Sequence, residues 1–75
     1  MELKFLDVVK WANASPLEKK DVMVVEDIDG KFATVRHINE AKMPVSNVLM
    51  TSLRKVGKCS AVEPMVNIVN RYINM

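Results

Sequence analysis

The sequence predicts a small α+β domain with an N-terminal helix, a two-stranded β-hairpin and two C-terminal helices. Three observations predict it. Apolar residues recur at three- and four-residue spacing over 45–56 and again over 62–73, the pattern of a helix with one buried face. Between these stretches, Gly57-Lys58-Cys59-Ser60 carries a helix stop and then a helix start. Upstream, the β-rich run Val22-Met23-Val24-Val25 is followed by Asp29-Gly30, a strong hairpin signal.

Each element has its own warrant. Residues 2–13 place Phe5, Val8, Val9 and Ala12 on one helical face, with Leu6 beside it and Lys4, Asp7 and Lys10 away from it. Trp11 falls at the edge of that face, where a half-exposed indole serves as a protein-binding anchor or lies over a neighbouring loop. Ser15-Pro16 ends the helix. The run 22–25 is apolar on both faces, which fits a strand covered on both sides. Asp27-Ile28-Asp29-Gly30 turns the chain, and 31–38 returns as the second strand. Over 45–56 the stripe is Val45, Val48, Leu49, Leu53 and Val56; Arg54, Lys55 and Lys58 suit the negative end of a helix, and Gly57 supplies a left-handed stop. Ser60 and Glu63 form a capping box, so the last helix starts between 61 and 64. Pro64 is its first residue if Glu63 caps it. Its stripe is Val62, Met65, Val66, Val69 and Ile73, with Ile68 and Tyr72 flanking and Asn67, Asn70 and Arg71 outward.

Seventy-five residues allow one domain, 1–75, with a thin core. Few aromatics and many Val, Met, Leu and Ile suggest a core that gains by pairing with a second copy. The single Cys59 rules out an internal disulfide and a cysteine zinc cluster. No apolar run approaches membrane-spanning length, and the charged N-terminal stretch does not read as a signal peptide, so a cytoplasmic protein is expected.

Charge is unevenly spread. Residues 1–30 hold four lysines against seven acids; residues 31–75 hold seven cations against two acids. Either the halves attract one another or the basic half meets a polyanion.

Chemical motifs are sparse. Glu26-Asp27-Ile28-Asp29-Gly30 lacks the spacing of a calcium loop, since a loop begun at Asp27 would need glycine where Phe32 stands. His37 and Cys59 have no spacing that makes them a nucleophile pair, and the two glycines are too far apart for a phosphate loop. No enzyme, metal or cofactor is expected. The strand-helix-turn-helix order of 31–38, 45–56, 57–60 and 63–73 resembles, in outline, the ribbon-helix-helix DNA-binding family. That resemblance covers about the last 45 residues. It implies Thr34 and Arg36 as base readers and Ser60 as a phosphate contact. The chain departs from the family in pairing its ribbon with 22–25 of the same chain and in carrying Pro64 at the second helix start.

The sequence therefore points to a non-catalytic DNA-binding or nucleic-acid-associated regulatory protein. Its candidate contacts are Arg36, Arg54, Lys55, Lys58, Asn67, Asn70 and Arg71. The alternative is a protein-binding modulator, an inhibitor or accessory subunit of a larger complex, anchored through Trp11.

Overall fold

The structure, a computed structural model, describes residues 2–75. It contains five strands and one helix. These are β1 (Asp7–Trp11), β2 (Met23–Asp29), β3 (Phe32–His37), β4 (Val45–Leu49), β5 (Leu53–Lys58) and α1 (Met65–Tyr72), with a 3₁₀ turn over Met50–Ser52. The strands form one antiparallel sheet in the order β4-β3-β2-β1-β5. The expected helix-hairpin-helix-helix arrangement is therefore corrected to a sheet with a single C-terminal helix. The α+β label survives only in the loose sense that a sheet and a helix are both present.

The N-terminal helix is replaced by a turn and a strand. Leu6 adopts φ 71°, a left-handed conformation that no helix passes through. Lys4 N–H donates to Asp7 Oδ2 at 2.8 Å, and Asp7 N–H donates to Lys4 O at 3.1 Å, so the chain turns there. The adjacent β-branched pair Val8-Val9 then enters the sheet with both side chains fully buried, one on each face. Phe5, expected in the core, is 63 % exposed.

The expected helix over 45–56 is two strands joined by the 3₁₀ turn. In β4 the half-buried positions are Ser46 and Val48, while Val45, Asn47 and Leu49 are exposed. This is a period of two that the three-four spacing concealed. The physical reason lies in the backbone. Without β4 and β5, β1 and β3 would each show an unpaired row of N–H and C=O groups beside a buried core. The resemblance to ribbon-helix-helix proteins ends here, because its first helix does not exist.

The hairpin is present. Asp29 pairs with Phe32 across Gly30-Lys31, and Gly30 takes φ +60°, as a hairpin turn with glycine first requires. The last helix is present too, shorter and rotated. Pro64 is extended at its N-cap, with its carbonyl accepting from Asn67 N–H at 3.0 Å. Ile68 and Tyr72 are the buried positions, whereas Val62, Met65 and Val66 are exposed.

The sheet separates two apolar clusters. On the inner face lie Leu3, Val9, Met23, Val25, Ala33, Val35 and Leu53, with Trp11, Val48 and Met50 against them. On the outer face Val8, Val22, Val24 and Ile38 are covered by Ile68 and Tyr72 of α1. The inner face is closed by curling. Edge strands of a flat five-stranded sheet would lie about 19 Å apart, yet β4 and β5 are joined by three residues of 3₁₀ turn, a rise of about 6 Å. Irregularities in pairing at Val8/Val9 and at Val25/Asp27 supply the bend. Gly57 makes room for α1: a Cβ there would lie 2.2 Å from Tyr72 Oη.

Candidate functional site

Lys10 lies on the outer side of β1 and is 2 % exposed. Its ammonium donates to the main-chain oxygens of Tyr72 (3.1 Å), Ile73 (3.2 Å) and Met75 (2.9 Å). A cation is thus fixed at the negative end of α1. Burial, and then the Arg54 guanidinium, hold its pKa below the ordinary lysine value, while Asp21 acts in the opposite direction. Arg54 Nη2 also reaches Met75 O, at 3.5 Å.

Around this point the end of β1, the loop after it, the start of β5 and the residues after α1 enclose a cleft of about 500 Å³. Lys10, Lys19, Lys20 and Arg54 line it with Trp11, and no acidic side chain does. The indole is fixed: Trp11 Nε1–H donates to Asp21 Oδ2 at 2.9 Å. Four cations and a held aromatic ring around one cavity attract anions and offer a stacking surface.

The residues singled out from sequence do not form one surface. Arg36 lies on β3, separated from β5 by two intervening strands in the sheet order. It donates to both Glu26 oxygens (2.7 and 3.1 Å) and to Met43 O (2.8 Å), and the Glu26 bonds raise its pKa. Lys55 sits 3.4 Å from Asp7, a fully buried carboxylate whose Oδ1 has no hydrogen bond. Arg71 is paired with Glu63 and lies 5.7 Å from the centre of the Tyr72 ring. Its pKa is raised by Tyr72 first and by Glu63 second. Lys58, Asn67 and Asn70 are exposed. Only Arg54 reaches the cleft, and Trp11 reaches it as well. Lys10, Lys19 and Lys20 are not among the contacts read from sequence because they belong to its acidic part; the Lys19-Lys20 doublet is the available signal. Compared with known families, curated proteins and solved structures, the chain matches none.

A second polar cluster lies beside the first. His37 Nδ1 is 3.0 Å from Asp21 Oδ2 and 3.5 Å from Glu40 Oε2; its Nε2 is 2.8 Å from Ser46 Oγ. Ser46, His37 and Asp21 follow one another as a nucleophile, base and orienting acid do. The small cleft that opens onto this cluster is lined by Asp21 and Glu40, not by Ser46, so its accessible side is the carboxylate side. His37 and Cys59 are not partners. Cys59 packs with the outer cluster, its thiol donating to Leu6 O at 3.4 Å, and burial, then Glu63, raise its pKa away from thiolate reactivity.

The third feature is a sheet edge. His37 N–H bonds Pro44 O and Met50 N–H bonds Lys31 O, so 44, 46, 48 and 50 face β3. Val45, Asn47 and Leu49 turn their backbone groups outward, where among the described residues no strand lies beside β4. From Met43 to Leu53 the chain has no charged residue. Phe32, paired with Leu49, and Val45 add exposed apolar surface next to this edge.

Proposed function

We propose that this is a non-catalytic nucleic-acid-binding protein that takes a single strand into the cleft between Trp11, Lys19, Lys20 and Arg54. One observation carries the reading: four cationic side chains and a fixed indole line one cavity that no acidic side chain lines. Lys10 is committed to carbonyl oxygens and acts as a standing positive charge at the floor. Lys19 and Lys20 are exposed and available to phosphate. A cavity of about 500 Å³ admits a base with its phosphates, not a duplex, which favours single strands over the duplex DNA expected from sequence alone. Such a role suits a regulatory protein in the cytoplasm, where a lone Cys59 stays reduced. No helix among the described residues is long and apolar enough to cross a membrane.

The test is a titration of the protein with single-stranded oligodeoxythymidine, read through Trp11, the only tryptophan. Binding at low salt is expected to quench the indole and to weaken steeply as salt rises. Lys19→Ala with Lys20→Ala removes two phosphate contacts and is expected to flatten the log-log salt slope by about 1.4. No binding of the single strand at low salt overturns the reading.

A second reading has its own observation in the uncharged open edge of β4. It is that of a protein-binding modulator joined through strand addition, with a second copy of the chain as the first candidate partner.

A further inference from the structure

The geometry points to a divalent transition-metal site formed by His37, Asp21 and Glu40, a function separate from the cleft reading. The ligand atoms are His37 Nδ1 and one oxygen from each carboxylate, all within 4.8 Å of one another. Tetrahedral zinc with bonds of about 2.0–2.2 Å needs its ligand atoms about 3.3–3.6 Å apart. The two separations from Nδ1 are 3.0 and 3.5 Å, and the two carboxylate oxygens lie within 4.8 Å of each other, so the exposed Glu40 side chain need only swing to close the set around an ion. One imidazole and two carboxylates are a nitrogen-oxygen donor set, suited to Zn²⁺ and its first-row neighbours rather than to Mg²⁺.

Charge supports the same assignment. Two carboxylates stand together against one imidazole in one small space. A divalent ion between them would offset both carboxylates. The supporting hydrogen bonds are already in place. Ser46 Oγ, 2.8 Å from Nε2, orients the imidazole through its far nitrogen, and Trp11 Nε1–H fixes the Asp21 carboxylate at 2.9 Å. Metal ligands are held in this way, by partners behind them. The open side is a shallow cleft of about 240 Å³ bordered by Glu18, Lys20, Asp21 and Glu40, which leaves room for the ion to arrive and for water to complete its coordination. The ligands come from the loop before β2, the end of β3 and the turn after β3, with Ser46 of the edge strand β4 behind the imidazole. An ion would therefore tie Asp21, at the end of the loop before β2, to the turn after β3.

The test uses the full chain, stripped of metal and titrated with Zn²⁺ alone, by calorimetry and by Trp11 fluorescence. One equivalent is expected to bind, with a change in indole emission because Trp11 and the ion share Asp21. Mg²⁺ is expected to give neither signal. Nitrogen NMR is expected to show the large shift at His37 Nδ1. Glu40 is 55 % exposed at its side chain, so Glu40→Gln folds normally and is expected to weaken binding at least as much as the outer-partner change Ser46→Ala, about ten- to a hundred-fold. Cys59→Ser is the control for a thiol site and should bind as the parent does. The assignment is overturned if no Zn²⁺ binds. It is equally overturned if Glu40→Gln binds as tightly as the parent, or if Cys59→Ser abolishes uptake.

Discussion

Lys10 shows how one side chain reports on the whole arrangement. It was expected on the polar side of a helix; instead it is buried, and its ammonium ties β1 to the end of α1. Its pKa is lowered in the folded protein, so the unfolded chain holds its proton more tightly. Between the lowered folded value and the ordinary 10.5, the unfolded state binds more protons and stability rises with pH. Below that window the charged form is buried at a constant cost; above it the contribution is complete. The Cys59 thiol, raised by burial, acts in the opposite sense and loses stability as pH climbs past its unfolded value. Subtracting the urea stability of Lys10→Met from that of the parent removes the thiol. The difference is expected to grow in the parent's favour as pH approaches 10.5. A flat difference would mean that the three carbonyl bonds cancel the burial cost.

Among the elements, the hairpin and the last helix were readable because their signals are local. Asp29-Gly30 sets a turn by backbone conformation alone, and Val22–Val25 has apolar residues on both faces because both faces of β2 are covered. The 45–58 segment was unreadable for the opposite reason: its strands exist to pair with β3 and β1, residues far away in the chain. Val45, Val48, Leu49 and Leu53 fit a helical face by spacing, but Val45 and Leu49 remain outside and Ser46 goes partly inside. The β4 edge that results has a self-matching order about Asn47. Two copies related by a two-fold axis there would set Val45 opposite Leu49 of the other copy at both ends and cross no charge. The chain is expected to run as a dimer in light scattering. Asn47→Lys sets two ammonium groups face to face across the axis and is expected to return the protein to monomers. A parent protein that is monomeric at high concentration would rule out this pairing.

At the level of the whole molecule, sequence halves do not map onto surfaces. Arg36 finds Glu26 and Lys55 finds Asp7, so much of the charge split is spent inside the fold. The cationic cleft joins Lys10, Lys19 and Lys20 from one half to Arg54 from the other. A meander whose fifth strand returns beside its first does this unavoidably, because it brings the ends of the chain together. His37, Asp21 and Glu40 were equally hidden: 16 residues separate the first two, and only pairing of β2 with β3 closes the gap. The same topology makes β1 and β2 the shared wall of both apolar clusters, with Val8 and Val24 against α1 and Val9 and Met23 on the inner side. Loss of helix packing should then loosen the curled interior as well, since the wall cannot fail on one face alone. Nature has placed one reporter on each side, with Trp11 against the inner cluster and Tyr72, the only tyrosine, in the outer one. Ile68 is buried among Val8, Val22 and Tyr72, so Ile68→Ala is expected to cost about 2–5 kcal/mol. Urea unfolding followed by Trp11 emission and by the Tyr72 near-ultraviolet signal should show one midpoint for both probes, lowered equally in the variant. A tyrosine transition that moves alone would show that α1 is a detachable cover, and the two clusters would then be separate cooperative units.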